Sequence, residues 1–208
     1  MFSTTGNTEA TKTTSWKVVL PFYGYAAIAF LIATILLLFS ASDITSHYFL
    51  PHTLAIIHIM ALGWGTMMIL GASHQLVPVL IEGKLYSNKL AYASFTFAAI
   101  GIPLLVNGFY VFNMGLHTQC GGILIILSVI AYLINLAASM VKSKQENVHA
   151  FFIFTAALWL LATAIVGLLL LYNFTEPLLP KGSLNYLPVH AHIGIVGWFL
   201  LLVMGVGS

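Results

Sequence analysis

Six long apolar runs separated by short polar stretches organise the 208-residue chain. They cover 18 to 40, 51 to 81, 90 to 112, 118 to 141, 150 to 174, and 187 to the end. Each approaches or exceeds the roughly 20 residues that a helix needs to cross a hydrocarbon core. In lipid, a helix is the form in which one segment satisfies its own backbone groups. The stretches between them, SDITSHYFLP, EGKLYSN, KSKQEN and NFTEPLLPKGSLNYLP, hold helix breakers and charges, and none is long enough to fold alone. The pattern predicts an all-α integral membrane protein of about six transmembrane helices. Residues 1–17 form a polar tail and 18–208 a single bundle.

Composition agrees with bilayer as solvent, since 60% of residues are apolar and only 6% charged. A net charge of +2 with no arginine is neither a nucleic-acid footprint nor a polybasic lipid patch, so the one partner expected from composition is membrane lipid. The polar N-terminus runs into the first span without a small-residue cleavage pattern, which reads as a retained span. Lys12, Lys17, Lys84, Lys89, Lys142 and Lys144 fall on one side and Lys181 on the other. That bias places the N-terminus in the cytoplasm of a multi-pass protein of the inner (plasma) membrane. The second and sixth helices then run parallel, both starting at the outer face.

An internal repeat links those two helices. HIMALGWGTMMILGASHQ from His58 aligns with HIGIVGWFLLLVMGVGS from His192 at an offset of 134 residues, with H-I-x-x-x-G-W in common. The same offset carries the first span into the fifth, so the unit is four helices long. The sixth helix lacks a counterpart to Gln75 through Pro78, and the chain is therefore expected to continue past Ser208.

The histidines carry the candidate chemistry. His47, His52, His117 and His149 fall at helix ends, where solvation is the simple reading. His74 also reads as interfacial, with proton entry beside Glu82 as the alternative. His58, His190 and His192 lie within spans, where a polar group is costly unless it finds a partner. Tying two helices together by hydrogen bonds is one way to satisfy them. A metal is the other, since neutral imidazole is a common metal ligand. His58 and His192 lie seven and four residues after Pro51 and Pro188, at matching depths of roughly 6 to 10 Å along the helix. They are the expected axial pair of a low-spin, bis-histidine b-type heme. The single Cys120 excludes the cysteine pair of a covalently attached heme. His190 and His192, about 200° apart around a helix, face opposite ways and cannot share one ion.

HAHIGIVGW resembles the H-x-H-x-G-x-x-G-W run of the heme–copper oxidase catalytic subunit, especially in cytochrome cbb-type oxidases and nitric oxide reductases. HIMALGW resembles the helix-two histidine segment of the same superfamily. The resemblance implies His58 and His192 on a low-spin heme, His190 on a second, high-spin heme, and respiratory electron transfer with reduction of oxygen or nitric oxide. It also implies an electron donor such as a cytochrome c or quinol, and further oxidase subunits. The chain contains no His-His pair, so copper is not assignable from the sequence. A second resemblance, through the G-x-x-x-x-L-x-P ending Gly71 to Pro78, is to membrane proteins of nitric-oxide response, which implies a non-catalytic heme or copper protein. A transporter is the third class, disfavoured because the two units share one topology.

Overall fold

The computed structural model describes residues 14–143 and 148–207. Lys12, Lys144 and Ser208 lie outside those residues. The described chain contains six helices long and apolar enough to cross a membrane: α1 (Trp16–Phe39), α2 (Pro51–Leu80), α3 (Asn88–Tyr110), α4 (Leu116–Val141), α5 (Val148–Tyr172) and α6 (Leu187–Gly207). No strand occurs among the described residues. The protein is an all-α, multi-pass membrane protein.

Local chemistry sets the helix ends. The Ser15 and Ser87 hydroxyls accept from the backbone N–H of Lys17 and Leu90, capping α1 and α3. Pro51 opens α2 and Pro188 sits in the first turn of α6, where a missing N–H costs nothing. Glu82 and Phe112 adopt positive φ just past α2 and α3. There the N–H groups of Gly83 and Asn113 reach back to the carbonyls of Pro78 and Gly108, closing each helix with a left-handed cap.

The helices pack largely in chain order: α1 on α2, α2 on α3, α3 on α4, α4 on α5, and α5 on α6. Phe22, Met67, Leu70, Leu136 and Ile153 are fully buried at the center of one apolar core. On α1 the residues Leu20, Ile28, Leu31, Ile35 and Leu38 face outward, as a lipid-exposed stripe does. Lys17, Lys84, Lys89 and Lys142 gather at one end of the bundle, where the Lys142 ammonium lies 4.4 Å over the Tyr86 ring.

The repeat has a structural form that the spacing did not predict. Immediately after His58 the backbone of α2 widens into a π-helix over Ile59–Thr66, and after His192 that of α6 does the same over Ile193–Leu200. Both boundaries differ by the 134-residue offset. Gly63 in one segment and Gly197 in the other let the preceding helix come close: an added Cβ would meet the Ala29 Cβ at 2.8 Å and the Trp159 ring at 2.8 Å. The repeat glycines therefore serve helix contact.

Candidate metal centre

His58 ends the first α-helical stretch of α2, and its Nδ1–H donates to the Leu54 carbonyl at 2.8 Å. His192 holds the same position in α6 and donates to the Pro188 carbonyl at 2.7 Å. Donor and acceptor are each displaced by 134 residues, so the repeat conserves a hydrogen bond as well as a motif. A carbonyl only accepts, so Nδ1 must carry the proton, and the Nε2 lone pair of each ring is left for another partner. Orienting hydrogen bonds of this kind are characteristic of histidine metal ligands.

The structure brings His58 together with His190, not with His192. The two ring centers lie 6.4 Å apart and the planes are within 17° of parallel. Phe109 of α3 also lies against His58, with 4.4 Å between ring centers. His190 Nδ1 is buried with no hydrogen-bond partner, and the ring has a polar contact with the backbone of Thr163. Space for this ring exists because position 167 is glycine: a Cβ there would stand 2.9 Å from His190 Cε1. His192, two residues on, is exposed. The expected opposition of His190 and His192 around the helix is present, but α6 rests on α5 with His190 turned inward.

A cavity of about 50 Å³ joins His58 to His190, and Met114, Phe109, Gly167 and Phe174 are among its walls. Met114 and Gly167 were not singled out by sequence reasoning. Met114 sits in the short α3–α4 connection and has no motif around it, while Gly167 is one small residue in an apolar run.

The donor atoms suit the iron of a b-type heme: neutral imidazoles, one locked by a backbone carbonyl and one with an orphaned nitrogen. The room does not. Sites for drug-sized ligands measure roughly 300–1,000 Å³, so a macrocycle does not fit between His58 and His190 as they stand. Among the described residues no three His, Cys, Asp or Glu side chains cluster as a metal-binding group.

The other histidines divide differently from expectation. His74, expected at the interface, is 1% exposed. Its Nδ1–H donates to the Leu70 carbonyl at 2.7 Å, its Nε2 has no partner, and Phe22 and Tyr132 flank the ring. An uninterrupted α-helix would set His58 and His74, 16 residues apart, about 160° out of phase. The π segment between them absorbs most of that offset, because each π turn takes up about one extra residue. Both rings therefore reach the bundle interior. His52 pairs with Asp43 at 2.5 Å, and His149 Nδ1 lies 2.9 Å from the Gly205 carbonyl, linking α5 to α6. His117 is exposed, and His47 stacks on Tyr48.

Comparison with protein-family models, curated proteins and solved structures finds no match to this chain.

Proposed function

We propose that this chain is an electron-transfer subunit of heme–copper oxidase type in the inner (plasma) membrane, holding a redox metal on imidazoles of α2 and α6. The observation that carries the reading is the approach of His58 and His190 to 6.4 Å within the helix bundle, away from the lysine-rich end. The H-A-H resemblance and the repeated histidine hydrogen bond support it. A b-type heme on His58 and His192, with a second heme on His190, is the form that the resemblance implies. Between His58 and His190 the cavity is small, so the reading is for a redox metal and routes no step through a porphyrin. The electron donor is a cytochrome c or quinol. No oxygen- or nitric-oxide-reducing step is assigned to these residues.

The chain's own residues supply position and environment. Leu54 fixes the His58 tautomer, Phe109 and Phe174 wall the site, and Gly167 makes room for His190. The test is purification from cells replete in heme and copper, followed by metal analysis and reduced-minus-oxidised absorption spectra. A bound redox metal that is lost in His58→Ala is expected. Metal-free, spectrally silent protein that remains well folded sinks the reading.

The small cavity favours a second reading, a non-catalytic copper protein of metal or nitric-oxide response. Metal-loaded protein that exchanges no electrons with reduced cytochrome c or a quinol selects it over the first.

A further inference from the structure

The donors around the cavity point to a particular ion. His58 has Nε2 left over from its hydrogen bond to Leu54, His190 keeps an unpartnered buried Nδ1, and the thioether-bearing Met114, 7% exposed, lines the same space. The two imidazoles, 6.4 Å apart between ring centers, and Met114 all line this one cavity. The volume agrees, because 50 Å³ holds an ion or a few waters and no macrocycle.

Charge and softness narrow the choice. All three donors are neutral, and no carboxylate or thiolate joins them in a metal-binding group among the described residues. Calcium and magnesium need oxygen ligands, and structural zinc needs four ligands, usually including thiolate or several imidazoles. Ionic solvation scales with the square of the charge, so a monovalent ion forfeits about a quarter of what a divalent one does on entering an apolar site. Copper(I) is monovalent, accepts few ligands, and is selected by thioether sulfur with imidazole nitrogen. The Phe49, Phe112 and Phe174 rings cluster beside the site, with 5.7 Å between the stacked Phe49 and Phe174 rings, and give it an apolar surround.

We propose that His58, His190 and Met114 bind a single copper(I) ion. This rests on the reading above that α2 and α6 hold a redox metal, and it replaces the macrocycle with an ion. Detergent-purified full-length protein is titrated with copper(I) under ascorbate against a chromophoric copper(I) chelator, and the loaded protein is examined by X-ray absorption. One copper per chain, with two nitrogen and one sulfur scatterers, is the expected result. Met114→Leu keeps the side-chain volume and should weaken binding at least roughly tenfold. His190→Ala should abolish competition with the chelator. Circular dichroism and size-exclusion profiles establish that both variants fold, and His117→Ala, at an exposed position, is the control. Copper binding that ignores His190→Ala and Met114→Leu overturns the proposal. So does an iron–porphyrin spectrum lost in His58→Ala, but that result leaves the redox-metal reading standing. Protein that takes up neither copper nor heme overturns both.

Discussion

Replacing Gly121 with alanine tests how the bundle is held together. Gly121 of α4 faces Gly101 of α3, and a Cβ at 121 would lie 2.6 Å from the Leu105 nitrogen and 2.8 Å from the Gly101 oxygen. Both neighbours are helix backbone, which cannot rotate away. Ordinary contact begins near 3.4 Å, so the helices must separate by about 0.6 to 0.8 Å along their most extensive interface. Overpacking of this kind costs typically 1–3 kcal/mol. Alanine also gains roughly 1 kcal/mol of helix propensity over glycine, which hides part of the loss. Gly24→Ala removes that ambiguity, because the same substitution in α1 meets nothing within 4 Å. The propensity gain is common to both, and their difference isolates the steric cost. We expect Gly121→Ala to be less stable than Gly24→Ala by about 2 kcal/mol, roughly 30-fold in the folding equilibrium. Reversible unfolding in mixed detergent measures it. Equal stability of the two variants refutes the close backbone approach of α3 and α4.

Gly167→Ala should leave the fold intact, since the nearest atoms its Cβ meets are those of the movable His190 ring, yet it should weaken metal binding at least roughly tenfold by displacing a ligand more than about 0.5 Å. The same chelator competition reads this out. Asn135→Ala removes a buried amide that accepts from the Ser87 N–H and donates to its carbonyl. Destabilisation of about 1–3 kcal/mol, with faster hydrogen exchange in the α2–α3 connection, is expected. Asp43→Asn breaks the pair with His52, in which the His52 and Asp43 side chains are 37% and 35% exposed, and should lower the unfolding free energy by no more than about 1 kcal/mol, as thermal unfolding reads it. Orientation can be read by labelling in intact cells of a Cys120→Ser background. Asn113→Cys should react with a membrane-impermeant thiol reagent, and Lys84→Cys only after permeabilisation.

The spans were legible because hydropathy acts over whole helices. The run from 51 to 81 became Pro51–Leu80, and that from 118 to 141 became Leu116–Val141. The repeat was legible as well, down to equivalent glycines and histidines. Partner choice was not. The spacing puts His190 and His192 on opposite faces but does not say which face turns inward. That depends on how α6 lies on α5, through Gly194 against Thr163 and Gly197 against Trp159. His74 was misplaced for a related reason: depth along α2 was readable, but the rotation added by the π segment was not. Nothing in I-M-A-L-G-W-G-T distinguishes it from ordinary helix. Met114 escaped notice because a connection residue becomes a wall of the site only once α3 and α4 fold back beside α2.

The π segments also give α2 and α6 a reserve of chain length. A residue removed from 59–66 can be absorbed when one wide turn tightens to an α turn, with the two halves of α2 keeping their rotation relative to each other. No comparable slack exists in Met67–Leu80, where a deletion must turn every later side chain to a new face. Single-residue deletions should therefore be tolerated in two windows of this chain, 59–66 and 193–200, and rejected in the α-helical stretches beside them.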